Sequence, residues 1–309
     1  MRTNTSVHKL FLLSLCFLAG SLCPSFAQIR VIGNEDMVNE IANLDPVKDL
    51  GTDHLEIIYE STVLDPEYRN KSRNLKTGYF ILQVSNDHTL FRDYEDFKMD
   101  SVLSFLNFRV TIGRWNNLND SIGANPVKKG TLHQDKRQEI WEEHAFAMGT
   151  YFYSEPLSDA AIPWTLHPED TLSVAGYKCH AATASFRGRE WKAYFTEEIP
   201  VSEGPWKLRG LPGVILSADS QDGEIKYRAV VIRKGGNGMF FEDENKLNYL
   251  SLLNWHKLIA RHRWDFFSSV GDMVKDLPKE QRTKLHTLFW NPEEKVLPED
   301  FLRLFRVND

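Results

Sequence analysis

Apolar and polar residues alternate along most of the chain between residues 54 and 235, which is the pattern that β-strands produce. Turn residues separate these stretches, and Asp222-Gly223 is a strong hairpin signal between two of them. The pattern predicts roughly ten antiparallel strands in one meandering sheet, a mainly β (α+β) fold curved like a half-barrel or bowl. Residues 116–129 are rich in Asn, Gly and Lys and predict a loop. The predicted strands cover residues 55–60, 78–84, 89–94, 103–112, 139–153, 176–186, 190–199, 214–218 and 225–233.

The strand predicted at residues 190–199 carries large side chains on both faces. Trp191 and Phe195 share one face, and Tyr194 lies on the other. Such a strand indicates a sheet that is covered on both sides or curved around something. Downstream, Leu211-Pro212-Gly213 predicts a type II turn, in which proline fixes φ and the glycine takes a positive φ.

The pattern changes near residue 235, where helical spacing of apolar residues replaces alternation. Residues 247–274 predict a helix, and Pro278 and Pro298 each predict the first turn of a further helix. We therefore expect four parts: a signal peptide at 1–27, a lead-in at 28–53 with a short helix near Met37, a β domain at 54–235, and a helical segment at 236–309 packed on the sheet.

The first 27 residues have the composition of a secretion signal. Arg2 and Lys9 precede a short apolar run, and Ser25-Phe26-Ala27 fits a cleavage site. Cys23 offers a lipoprotein alternative, although the bulky leucine before it argues against lipidation. The mature chain has no further apolar run long enough to span a membrane. We expect an exported protein, in the periplasm or at the cell surface after cleavage near Ala27.

Charge and cysteine content narrow the possible partners. The formal net charge is −6 and becomes −8 once Arg2 and Lys9 leave with the signal, so nucleic acid is not the expected partner. Cleavage also leaves Cys179 as the single cysteine, which excludes an intramolecular disulfide. Its place in an alternating stretch predicts a small buried residue rather than a nucleophile.

Common catalytic and metal-binding motifs are missing from the sequence. There is no HExxH, GxSxG or CxxC, so we predict no catalytic residue, no metal site and no cofactor. The remaining candidates are aromatic: Trp164, Trp191, Tyr194 and Trp206. They have two interpretations, a packed core or the lining of a concave sheet that binds an apolar or amphipathic ligand.

The segment around these residues resembles a known family. The string GPWKLRGLPGVI at residues 204–215, with FRGREWKAYFTEEIP at 186–200 and GYKCHAAT at 176–183, is similar to the GLPGLI family of secreted Bacteroidota proteins. Val214 stands where the family name has a leucine. The resemblance extends over most of the chain after about residue 54 and implies an exported, mostly antiparallel β protein. Because the family has no assigned activity, it implies no catalytic residue.

Three functions follow as hypotheses. The leading one is a non-enzymatic binding or carrier protein that holds an apolar or amphipathic ligand in the cell envelope. The alternatives are a structural or interaction protein of the envelope, whose partner is another envelope protein, and a hydrolase whose site has no recognisable motif.

Overall fold

A computed structural model describes residues 41–43, 47–64, 75–123, 127, 131–146, 150–242, 248–251 and 254–255. The predicted signal peptide, the predicted helix near Met37 and the helices predicted at Pro278 and Pro298 lie outside the described residues.

A single large sheet dominates the described chain, as the alternation predicts. It contains twelve strands in the order β10-β11-β12-β13-β14-β3-β4-β5-β7-β8-β9-β16, with β10 and β16 at opposite ends. All its pairs are antiparallel except β16 with β9. The strands are β1 (Ile41–Asn43), β2 (Val47–Thr52), β3 (Leu55–Leu64), β4 (Leu75–Val84), β5 (His88–Asp93), β6 (Arg109–Thr111), β7 (Thr131–Asp135), β8 (Ile140–Phe146), β9 (Thr150–Pro156), β10 (Thr165–Val174), β11 (Tyr177–Phe186), β12 (Arg189–Thr196), β13 (Val214–Ser220), β14 (Ile225–Lys234), β15 (Gly238–Glu242) and β16 (Asn248–Tyr249).

The mainly β, open antiparallel sheet is confirmed, but its path is not one continuous meander. The chain forms one run from β3 to β9 and a second from β10 to β14, and the two runs join because β14 pairs with β3. The stretch predicted as one strand at 139–153 is two strands, β8 and β9. Two small sheets, β1 with β6 and β2 with β15, accompany the large one.

Two helices replace elements that the sequence pattern predicted wrongly. Helix α1 (Tyr94–Phe105) includes the start of the strand predicted at 103–112, and α2 (Ile112–Ile122) occupies the first half of the loop predicted at 116–129. The side chain of Asp93 caps α1 by accepting from the Glu95 amide, and Thr111 caps α2. Neither described helix has the length and apolar composition needed to cross a bilayer.

Tight turns fix the register of the strands around residues 174–225. Ala175-Gly176 and Arg187-Gly188 have positive φ at both central positions, which is the type I′ geometry that matches strand twist. Gly223 has a φ of +70° in the predicted Asp222-Gly223 hairpin, and β13 pairs with β14 as expected. The helix predicted from residue 247 does not begin there, because Asn248 and Tyr249 pair with β9.

Candidate functional site

The large sheet has one face, here the inner face, that carries the main hydrophobic core. Successive strand residues point to opposite faces, so Ile57, Tyr59, Phe80 and Trp191 lie on the inner side together. The opposite, outer face is covered in part by α1, where Phe97 packs on Ile58 and Ile81 of the sheet centre. The central strands are therefore buried on both faces.

An irregular loop at residues 197–213, here the core loop, fills part of the inner face. All six residues from Glu203 to Leu208 are buried, and Trp206, Leu208 and Leu211 belong to the main core. A backbone hydrogen bond joins the loop to β13, in which the Ile215 amide donates to the Glu203 carbonyl at 3.0 Å. Buried loops need such partners for their backbone groups.

Two glycines let the core loop approach the sheet. A Cβ on Gly213 would lie 2.0 Å from the Thr196 carbonyl oxygen at the end of β12, and one on Gly204 would lie 2.8 Å from Cβ of Ile215 on β13. The prediction of a type II turn at 211–213 is wrong, because that turn requires a positive φ at Gly213 and Gly213 does not have one. Gly213 is required for space, and the left-handed residues of the loop are Gly210 and, unusually, Trp206.

Trp191 and Trp206 lie together in the core. Trp191 is fully buried, its ring centroid lies 5.9 Å from that of Trp206, and its Nε1 donates to the Phe186 carbonyl at 3.3 Å. Trp206 is 3% exposed and has a φ of +55°, a conformation that costs a bulky residue about 1–2 kcal/mol. Its indole N–H is buried without a hydrogen-bond partner among the described residues.

The other two aromatic candidates lie apart from this pair. Trp164 is partly buried against the main core, and its Nε1 donates to the Arg209 carbonyl of the core loop at 2.8 Å. Tyr194 is half-buried on the outer face, where its hydroxyl donates to Asp170 at 3.2 Å and the Lys192 ammonium lies 5.1 Å from its ring. The sheet is thus not covered on both sides at β12, and the four residues do not line one surface.

A buried carboxylate, Glu203, anchors the start of the core loop. Its oxygens lie 3.9 Å from Lys136 and 3.6 Å from Arg209, and Gln134 hydrogen-bonds to it. Burial raises the pKa of Glu203, and the two cations and Gln134 offset part of that shift. Burial, together with the same carboxylate, holds the pKa of Tyr59 well above its usual value.

A second charged cluster anchors the middle of the loop. The Lys207 ammonium is fully buried, contacts the Tyr153 hydroxyl, and lies 3.2 Å from Glu155 Oε1. Arg187 pairs with the same carboxylate. Sequence reasoning missed this cluster because Lys207 and Tyr153 are 54 positions apart; the one available signal is a lysine inside a mostly apolar run.

The outer face beyond α1 is exposed to solvent. Leu75, Tyr79 and Val231, here the outer patch, are 40–45% exposed on β4 and β14, the two neighbours of β3. The strand register sets Val231, Tyr79 and Leu75 opposite Ile58, Glu60 and Leu64 of β3. Arg228 also lies opposite Glu60, so a charged row of the sheet runs through the outer patch, between Val231 and Leu75.

The edge strand β10 is also exposed but is interrupted. Its register with β11 shifts between His167 and Thr171, and Pro168 in that interval has no N–H. Bulges and prolines of this kind protect sheet edges against strand addition.

The prediction that Cys179 is a small buried residue is confirmed. It is fully buried, and burial raises its thiol pKa to about 11, so it is not a reactive thiolate. Among the residues that the structure describes, no group of three or more His, Cys, Asp or Glu side chains has a geometry that could hold a metal ion.

Comparisons with known proteins concentrate on the same region. A family model described as "Protein of unknown function (Porph_ging)" matches residues 187–217, which span β12, the core loop and the start of β13. The match does not carry the GLPGLI name, so that resemblance stays a prediction. A search of curated proteins found no match.

Solved structures resemble the chain only remotely. A structure of PNGF-II is 15% identical with a TM-score of 0.44, covering 68% of this chain and 34% of its own. MucB in complex with MucA(peri) is 10% identical with a TM-score of 0.26, covering 63% of this chain and 54% of its own. The MucA/MucB complex of Pseudomonas aeruginosa is 11% identical with a TM-score of 0.25, covering 62% and 55%. This chain thus spans about a third of PNGF-II and about half of MucB, and none of these similarities supports a functional argument.

Proposed function

We propose that this protein acts through contacts at its surface, as a structural or interaction protein of the cell envelope. The observation that carries the proposal is the burial of residues 203–208 on the inner face of the sheet. Trp191 and Trp206, the aromatic residues expected to meet a ligand, pack on each other and on the chain's own core. A ligand would reach them only after the core loop moves.

The outer patch is the surface we propose for a partner protein. Leu75, Tyr79 and Val231 expose apolar area beside charged side chains, a composition common at protein interfaces. The edge of β10 is a poorer candidate because its bulge and proline leave only short paired segments on either side.

In-cell photo-crosslinking tests this surface directly. A benzoyl-phenylalanine placed at Tyr79 or Val231 is expected to capture one discrete envelope protein, whereas the same group at the exposed Ser173, on the β10–β11 hairpin, is the matched control. The same product from all three positions, or none from the outer patch, would contradict the proposal.

A carrier of an apolar or amphipathic ligand is the second candidate, and one observation favours it. Trp206 combines a left-handed backbone with a buried, unpaired indole N–H within the described structure. Local strain and unsatisfied donors are frequent in segments that change conformation during function. In this candidate the core loop is displaced when the ligand enters, and Trp206 gains an acceptor.

Native mass spectrometry separates the two candidates. The mature protein is purified gently from the envelope of its own producer and measured before and after denaturation. A bare mass, also after addition of phospholipid vesicles, is the result expected for the interaction protein. A discrete extra mass that disappears on denaturation would favour the carrier. The hydrolase stays a prediction from the sequence.

We further propose that the N-terminal signal directs export and is cleaved near Ala27, and that residues 236–309 pack on the sheet. The described part of that segment supports the packing, because Met239 and Phe241 of β15 pack with Leu90 of β5 and the Trp255 ring lies 4.8 Å from that of Tyr153.

A further inference from the structure

The surroundings of Lys207 have the composition of an ammonium-binding site. Its Nζ lies 4.8 Å from the ring centroid of Tyr153, 5.7 Å from that of Trp206 and 3.2 Å from Glu155 Oε1. One carboxylate, the Tyr153 hydroxyl at the edge of its ring and the Trp206 ring thus surround a cation that is removed from solvent. Aromatic rings with a negative partner are the groups that bind alkylammonium ions in proteins.

The strand provides half of this site independently of the loop. Tyr153 and Glu155 are two residues apart on β9, so their side chains point to the same face. Arg187 pairs with Glu155 and holds the carboxylate in position, and Trp255 packs on the Tyr153 ring. The core loop then adds both an aromatic ring, from Trp206, and the ligand, from the adjacent Lys207.

We infer that Tyr153, Glu155 and Trp206 form an ammonium site whose resident ligand is the chain's own Lys207. The ligand class that fits it is a primary ammonium on an aliphatic stem, such as a small alkylamine or a lysine side chain of another protein. The site is independent of the proposed function, because it concerns how the core loop is held on the sheet. Burying an ammonium without such compensation is strongly unfavourable, so the loop depends on the site being filled.

Chemical rescue of Lys207→Ala tests the inference. Removal of the side chain beyond Cβ leaves the Tyr153 hydroxyl, the Trp206 ring and the carboxylate around an empty volume the size of a propylammonium ion. We expect n-propylammonium to raise the Tm of Lys207→Ala saturably, by about 3 °C or more, and to leave the wild-type Tm unchanged. n-Propanol, which fills the same volume without charge, is the control, and Lys207→Ala combined with Glu155→Gln is expected to lose the rescue.

Equal stabilisation by n-propanol would overturn the inference, since it would identify an apolar cavity without preference for a cation. Equal stabilisation of the wild type would identify a non-specific salt effect and would overturn it too. If Lys207→Ala does not fold, NMR of the wild type decides: the Lys207 ammonium protons are expected to exchange slowly, because they are buried and donate to the Tyr153 hydroxyl and to Glu155. Fast exchange of these protons would refute the site.

Discussion

Gly213→Ala is the substitution for which the structure gives the clearest expected effect. The added Cβ would lie 2.0 Å from the Thr196 carbonyl oxygen, 2.6 Å from its carbonyl carbon and 2.9 Å from Glu197 Cα. All three atoms are backbone, so no side chain can rotate away, and either the core loop or the end of β12 must move. Overpacking typically costs about 1–3 kcal/mol, and the rigidity of these neighbours places the expected loss at about 3 kcal/mol.

Gly176→Ala is the matched control for this experiment. Gly176 has a φ of +89°, and no atom lies within 4 Å of the position that a Cβ would take there, so alanine meets only backbone strain, of about 1–2 kcal/mol. Urea unfolding followed by tryptophan fluorescence measures both variants. If Gly213→Ala loses no more stability than Gly176→Ala, the close approach of the core loop to β12 is refuted.

Three further predictions follow from buried groups. Trp191→Ala is expected to lower the free energy of unfolding by about 3–5 kcal/mol, because the ring is fully buried. Urea unfolding measures this loss, and a value below about 1 kcal/mol would contradict the placement of Trp191 in the core. Burial raises the pKa of Glu203 above 4.5, so the native state binds the carboxyl proton more tightly than the unfolded state does. The resulting stabilisation is present below about pH 4.5 and is lost as pH rises through the native-state pKa. Unfolding free energies at pH 4 to 7 should therefore show the wild type losing stability relative to Glu203→Gln as pH rises, and a difference that is flat or of opposite sign would contradict this. Cys179 is expected to resist a maleimide in the native protein and to react in urea, and rapid native labelling would contradict its burial.

These results change how the aromatic candidates can be tested. Alanine at Trp191 or Trp206 removes a core side chain, so lost ligand uptake would not distinguish a binding residue from a folding residue. Tyr194→Phe is more informative, since it deletes only the hydroxyl that bonds to Asp170 on the half-exposed outer face.

Local sequence signals predicted the parts of the fold that depend on local chemistry. Alternation located most strands, and Asp222-Gly223 located a hairpin, because glycine is needed at the positive φ of that turn. Helix α1 was missed because its buried face includes Asp96 and Asp100, so it lacks an apolar stripe at helical spacing. Asp100 faces inward because it pairs with the buried Arg92 of β5.

The core loop depends on contacts between distant parts of the chain, which sequence periodicity does not reveal. A glycine that supplies a positive φ and one that supplies space look the same in a sequence, and Gly213 is of the second kind. Apart from Arg209, which lies in the core loop itself, the partners of Glu203 and Lys207 lie on β7, on β9 and in the turn after β7. Pairing with these distant residues leaves no local pattern. The tryptophans were recognisable as candidates, but their burial by the chain's own loop was not.

Hydrogen–deuterium exchange of residues 203–213 tests the central claim, that the core loop closes the inner face of the sheet. We predict that peptides from this loop exchange as slowly as those from β12 and β13, because residues 203–208 are buried and the Leu208 and Gly210 amides donate to the Pro205 and Ser202 carbonyls. The exposed turn at Ala175-Gly176 provides the fast reference. Exchange of the core loop within seconds, at the rate of that turn, would contradict the claim and leave the inner face open to a ligand.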